Sequence, residues 1–155
     1  MRWDDLDRSA VLSLNAEHVT ETSPLDGPAL EALLGAAFHV GSIERGRDAF
    51  LIALSPEADY ASPNFQWFRR RGGRFIYIDR VIVANDRRGR GLARRLYEEL
   101  AAVARAAGYA QLVCEVNSDP PNPASSAFHA SLGFVPVGEA VLSDAKRVQY
   151  LSWPL

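Results

Sequence analysis

Apolar positions along the chain recur in two rhythms, and these divide it into strands and helices. Asp48 to Ser55 is a continuous apolar run closed by Pro56, which predicts a strand buried on both faces. Arg74 to Ala84 predicts a longer strand in which Phe75, Tyr77, Asp79 and Val81 alternate against Ile76, Ile78, Arg80 and Ile82, with Asp79 and Arg80 interrupting the apolar pattern. Ala10 to Asn15 is short and apolar enough for a first strand ending at Asn15, after a polar arm over residues 1–9. Val40 to Glu44, Tyr109 to Val116, Phe134 to Ala140 and Arg147 to Trp153 complete the expected strands.

Helical spacing appears elsewhere. Leu25, Ala29, Leu30, Leu33, Leu34, Ala37 and Phe38 predict a helix started by Ser23-Pro24 and ended by Gly41. Leu92, Ala93, Leu96, Leu100, Val103, Ala104 and Ala107 form one apolar stripe, predicting an amphipathic helix that stops at Gly108. Residues 123–132 suit a short helix with Asn122 as cap and Gly133 as stop. Residues 56–73 fit two descriptions, a short helix between Ser62-Pro63 and Gly72-Gly73, or a strand and hairpin.

Composition narrows the class. With 155 residues, 48% apolar and 23% charged, the chain is expected to be a single globular domain over 1–155. No apolar run reaches the length of a membrane span, and the N-terminus lacks the cationic and apolar regions of a secretory signal, so a cytoplasmic location without membrane contact is expected. Cys114 is the sole cysteine and its apolar setting reads as a buried strand position rather than a nucleophile. A net charge of −2 argues against nucleic acid as a partner, although arginines cluster at 69–74, 87–90 and 94–95. No metal ligand set is read from the sequence.

The arginine cluster that changes the picture follows the Arg74 to Ala84 strand. Gly89 and Gly91 lie between that strand and the start of the next helix, where first-turn N–H groups and the helix dipole favour an anion. Glycine admits a ligand close to the backbone. The Lys and Ser/Thr of a nucleoside-triphosphate loop are missing, while a dinucleotide turn or a solvated surface turn still fits. Arg88-Gly89-Arg90-Gly91-Leu92-Ala93 also resembles the Arg/Gln-x-x-Gly-x-Gly/Ala pattern of the GNAT superfamily of acyl-CoA-dependent N-acetyltransferases. Asn122 to Phe134 resembles a second segment of that family, Asn-x-x-Ala-x-x-Leu-Tyr-x-x-x-Gly-Phe, and the element order is similar from Val11 to Trp153.

The resemblance implies an α/β (α+β) fold whose mixed, mostly antiparallel sheet of six to seven strands splays around the coenzyme, flanked by about four helices. It implies acetyl-CoA as cosubstrate and a small-molecule or peptide amine as acceptor, with direct attack in a ternary complex; dimers are common in the family, so a homodimer is compatible with it. Val81, Ile82 and Val83 would meet the pantetheine arm, Arg88, Gly89, Arg90, Gly91, Leu92, Ala93 and Arg94 the pyrophosphate, and Asn122 and Ser125 the coenzyme from the opposite wall.

His129 stands where the family usually carries a tyrosine that protonates the departing thiolate. Imidazole, with an ordinary pKa of about 6.5, can donate a proton or can simply pack there. Glu115 stands where several members carry a base, and it shares a strand face with Asn117. Asp79 is the rival carboxylate, with an ion pair to Arg80 as its plainer role. The acceptor wall would draw on the aromatic stretch of Tyr60, Asn64, Phe65, Trp67 and Phe68, on Asp79 and Asn117, and on Asn15 and Glu17 from the first strand's end; a tryptophan and two phenylalanines at helical spacing also suit a core. Two other functions fit the same sequence: a non-catalytic acyl-CoA-binding or regulatory module, and a nucleotide-binding enzyme.

Overall fold

The computed structural model describes residues 3–19 and 22–155, so Met1 and Arg2 of the expected polar arm lie outside the described residues. Among the described residues six strands, β1 (His39–Ile43), β2 (Ala49–Leu54), β3 (Phe75–Val83), β4 (Gln111–Asp119), β5 (Val135–Val141) and β6 (Arg147–Pro154), form one sheet in the order β1-β2-β3-β4-β6-β5. Every neighbouring pair is antiparallel except β3 with β4. Among the described residues five α-helices flank it: α1 (Arg8–Glu17), α2 (Gly27–Ala36), α3 (Pro63–Arg71), α4 (Leu92–Ala106) and α5 (Pro123–Leu132). This is the mixed, mostly antiparallel α/β architecture expected from the sequence, with one helix more than expected.

The additional helix is α1, where a strand was expected. The apolar run Ala10 to Asn15 is ambiguous in period, and what decides it lies outside the run. The Asp7 side chain accepts the Ala10 N–H at 3.1 Å and caps a helix, and Val11, Leu14, Asn15 and His18 then fall on one buried face at helical spacing. Leu6 is also buried, so the segment leading into α1 packs on the core rather than forming a free arm.

The next helix begins and ends inside its expected limits. Asp26 caps α2 by accepting the Ala29 N–H at 2.8 Å, with Pro28 in the first turn, while Ser23 is drawn away to Arg80. Gly41 does not end it but lies in β1, where a Cβ would come within 2.9 Å of Leu96 Cδ2. The sheet's close approach to α4 selects glycine there. Residues 63–71 take the helical alternative, with Pro63 in the first turn.

Two apolar layers enclose the sheet. On one face Phe50, Ile52, Leu54, Phe75, Tyr77 and Tyr150 pack against Val11, Leu14, Leu30, Leu34, Phe65 and Phe68 of the first three helices. On the other, Leu51, Ile76, Ile78, Leu112 and Cys114 pack against Leu96, Tyr97, Leu100 and Ala104 of α4. Each fully buried large apolar side chain contributes about 1.5–3 kcal/mol, so both layers are needed to hold a single sheet between them.

Strand β3 does not alternate uniformly. Its register against β2 shifts between Ile52 and Ala53, where Ile52 faces Arg80 and Ala53 faces Ile78, leaving Asp79 as the extra residue of a β-bulge. Tyr77 belongs to the first apolar layer and Ile78 to the second, but beyond the bulge Ile82 returns to the first while Val81 and Val83 pack against the second. The bulge therefore sends consecutive Asp79 and Arg80 to the same side, which corrects the expected strict alternation.

Candidate functional site

Strands β3 and β4 pair in parallel only over Phe75–Tyr77 and Gln111–Val113. Beyond Tyr77 and Val113 they separate, and a cleft of about 700 Å³ opens between them. Its first wall is β3 from Ile78 to Val83, whose β4-facing edge has no strand partner. Its second wall is β4 from Cys114 to Asn117, with Asn122, Ser125, Phe128 and His129 of the α5 segment beside it.

One end of the cleft is built for negative charge. The turn after β3 brings Arg88, Gly89, Gly91, Leu92, Ala93 and Arg94 to it. Gly91 precedes α4 in the left-handed region at φ 73° and offers no side-chain cap, so first-turn N–H groups of the helix are left to an outside acceptor. Gly89 is also left-handed, at φ 80°, and a Cβ built on either glycine meets no protein atom within 4 Å, which keeps their open side free for a ligand. Arg88 and Arg90 are exposed, and Arg90 does not line the cleft. Arg94 donates from Nη2 to Ser131 Oγ at 2.8 Å, tying α4 to α5.

The other end holds carboxylates. Glu115 Oε1 accepts the Tyr77 hydroxyl at 2.8 Å, a contact made possible because Tyr77 belongs to the last parallel pair, with Val113 two residues before Glu115. Burial pushes the Glu115 carboxyl up to about 7, with the nearby Asp79 charge acting in the same direction and hydrogen bonds from Tyr77 and Asn64 opposing it. Asn64 in turn accepts the Tyr150 hydroxyl at 2.8 Å, so α3 and β6 both brace this carboxylate. A carboxylate poised near neutrality in a cleft is suited to accepting a proton.

Asp79 lines the cleft but is already engaged: Oδ2 accepts from Arg80 Nε at 2.7 Å and Oδ1 from the Tyr60 hydroxyl at 2.6 Å, with both members of the ion pair almost fully buried. Burial, then the Asp79 charge, raises the Tyr60 phenol above its ordinary range. Arg80 spends its other donors on Asn15 Oδ1 and on Ser23.

Of the residues expected on the acceptor wall, Asp79 and Asn117 line the cleft, whereas Asn15, Glu17, Tyr60, Asn64, Phe65, Trp67 and Phe68 do not. Asn15 is 1% exposed and holds Arg80 from behind, because α1 turns it inward where a strand would have ended at it. Tyr60 reaches the site only through Asp79. Trp67 stacks on Tyr150 at 4.1 Å and covers Gly138, while Phe65 and Phe68 are core. Asn117 lines the cleft beside Glu115, and Glu17 is exposed on α1. Cys114 lines it too, with burial pushing its thiol up, which keeps it protonated and unreactive.

The sequence does not mark Tyr97 or Tyr77 as site residues, and it marks Arg80 only as the ion-pair partner of Asp79, which it is. Tyr97 sits within the apolar stripe of α4, and the visible signal was a hydroxyl-bearing residue on a face that must be buried. Nothing local marked Tyr77, because its partner comes from a strand 38 residues away.

The split in the sheet thus joins an uncapped helix start flanked by arginines at one end to a neutral-range carboxylate at the other. The chain belongs to the acetyltransferase (GNAT) family, whose model matches residues 52–134, just over half of it. No curated protein matches significantly. Among solved structures the fold is similar to Ard1 from Thermoplasma volcanium, with a TM-score of 0.74, 16% identity, and 100% of this chain and 94% of that one covered. It is also similar to the ribosomal-protein-S18-alanine N-acetyltransferase from Escherichia coli, at TM-score 0.67 and 18% identity over 96% of this chain and 87% of that one. A chain of the NatC complex bound to Gag peptide and CoA aligns at TM-score 0.70 and 15% identity over 95% and 89%. Among the described residues no helix is long and apolar enough to cross a membrane.

Proposed function

We propose that residues 1–155 act as one acetyltransferase domain that binds acetyl-CoA and a primary amine together and transfers the acetyl group by direct attack of the amine on the thioester. The observation that carries this reading is the continuous cleft joining the uncapped start of α4 to Glu115. The residues present fit the coenzyme: open glycines, exposed arginines and free helix-end N–H groups suit a pyrophosphate, and the unpartnered edge of Val81, Ile82 and Val83 suits the amides of an extended arm. Asn122 and Ser125 would close over it from the α5 side.

In this scheme Glu115 takes the proton that the amine loses, directly or through one water, a role typically contributing 10²–10⁴-fold. A backbone N–H of the Val81–Val83 stretch faces the thioester carbonyl and stabilises the charge that develops there. Asp79 and Asn117 border the acceptor's approach, and Asn15, Tyr60 and Trp67 serve it by holding Asp79 and the strands in place. The acceptor is a small-molecule or peptide amine. Similarity to a ribosomal-protein-S18-alanine N-acetyltransferase and to a chain of a complex bound to a peptide and CoA supports including peptide N-termini in any panel.

The test is thiol release from acetyl-CoA in the presence of a panel of polyamines, amino acids, aminoglycosides and peptides with free N-termini, with mass spectrometry of the acetylated product. Calorimetric titration with acetyl-CoA, ATP and NAD accompanies it. Acetyl-CoA binding with an acetylated amine is expected. Binding of ATP or NAD instead, or coenzyme binding with no product from any amine, would overturn the proposal.

A further inference from the structure

Tyr97 of α4 and His129 of α5 meet at the wall of the cleft, with Oη and Nε2 2.7 Å apart. The other ring nitrogen, Nδ1, lies 2.7 Å from the Ser125 carbonyl oxygen and 3.3 Å from Ser125 Oγ. A carbonyl oxygen can only accept, so Nδ1 carries a proton, and in the neutral ring Nε2 is bare. The phenol therefore donates to the imidazole. Burial lowers the His129 pKa below its ordinary value, against the Ser125 bond, which makes the neutral ring the resting form at neutral pH. In that form His129 has no N–H to offer the cleft.

Protonation of Nε2 reverses the bond. Nε2–H then donates to Oη, and the phenol proton is released to point elsewhere, the cleft being the open side. The phenol cannot complete a proton transfer alone, because burial holds it well above its ordinary pKa and would penalise a phenolate. It needs a second proton delivered as the first one leaves. The pair is flanked by the rings of Phe128 on α5 and Phe134 just before β5, and the titratable groups facing it are Cys114 and Glu115 of β4.

Taking the acetyl-transfer reading above as given, we propose that Tyr97 is the catalytic acid toward the departing thiolate of coenzyme A, with His129 as the positioning residue that reloads it. As the amine nitrogen forms its bond to the acetyl carbon, the carbon–sulfur bond breaks and its electron pair goes to sulfur. The Oη proton moves to sulfur while the Nε2 proton moves to Oη. The products are a thiol, a restored phenol and a neutral His129, which regains its proton from solvent.

The experiment uses Tyr97→Phe, which keeps the ring and removes Oη, and compares acetyl-CoA with acetyl-seleno-CoA, whose far more acidic selenol leaves without needing a proton. The amine is whichever member of the panel the wild-type chain turns over fastest. With acetyl-CoA, kcat should fall about 10²-fold while KM for acetyl-CoA stays within about twofold, and with the selenoester the loss should be under about fivefold. His129→Phe should show a smaller loss with the same selenoester rescue. Equal losses with both donors, or an unchanged kcat, would overturn the assignment. If Tyr97→Phe does not fold, replacing Tyr97 by a difluorotyrosine alters the phenol's acidity with little change of shape, and an unaltered kcat would then refute it. A wild-type chain that turns over no amine would overturn the acetyltransferase reading, and this one with it, whereas an active wild type with equal losses removes only Tyr97.

Discussion

Tyr77 and Glu115 stand on neighbouring strands just where their parallel pairing ends, and the phenol donates to the carboxylate at 2.8 Å. Tyr77 is fully buried, so its hydroxyl has few other acceptors and fixes Glu115 at the mouth of the split. The same burial keeps that carboxyl near neutral pKa.

Activity should therefore depend on Glu115 ionisation. A base must be deprotonated to act, so in His129→Phe, where the imidazole no longer titrates, kcat/KM is expected to rise with pH through about 7. Glu115→Gln should lower kcat by about 10²–10⁴ and remove this limb from the profile. A limb that persists in the variant would assign it to another group.

Stability should respond in the opposite sense. The folded carboxyl titrates near 7 against 4.5 as its ordinary value, so the folded state holds the extra proton between those values. Its favourable contribution is complete below the lower value and is lost as pH rises through the upper one. Glu115→Gln, which cannot ionise, should consequently melt higher than the wild type at pH 8–9 by calorimetry, and the gain should vanish near pH 5.

Asp79 neutralises Arg80, whose side chain is only 3% exposed. Asp79→Ala removes that charge and the acceptor of the Tyr60 hydroxyl together. Loss of one partner of a buried pair costs about 3–5 kcal/mol, which urea denaturation would register as a lower midpoint at unchanged slope. Adding Arg80→Met should recover part of the loss.

Gly91 lies at φ 73° at the start of α4. A β-branched residue is strained in that conformation and projects into the space above the helix end, so Gly91→Val should cost about 1–2 kcal/mol in stability. Its larger effect is expected on acetyl-CoA affinity, down at least about tenfold by calorimetry. Near-wild-type affinity would move the pyrophosphate away from this turn.

Gly138 faces the Trp67 ring, where a Cβ would come within 2.5 Å of Cζ2. Gly138→Ala should be destabilising by about 1–3 kcal/mol through overpacking. Combined with Trp67→Leu the penalty should shrink, and a double-mutant cycle measures that coupling.

The glycine turn at one end of the cleft was legible in the sequence because it is local. Arg88 to Arg94 are contiguous, and a strand, two glycines and a helix start carry their own geometry and potential. Strands β1 to β3 and helices α4 and α5 were likewise readable from period, Asn122 and the glycine stops. Asn15 was misplaced for the converse reason. Its six-residue apolar run fits both periods, and the Asp7 cap with the inward face of Val11, Leu14 and His18 made it helical.

By itself the sequence determined the strand–glycine–helix unit, the αL stops and the alternating faces of β4, since these follow from backbone sterics and side-chain period over a few residues. The tertiary structure alone decided that β3 and β4 part after Tyr77, that a bulge turns Asp79 and Arg80 to one side, and that Tyr97 bonds His129. Each of these joins residues far apart in the chain through burial and hydrogen bonding. Such terms acquire their size only once water has been excluded from between them.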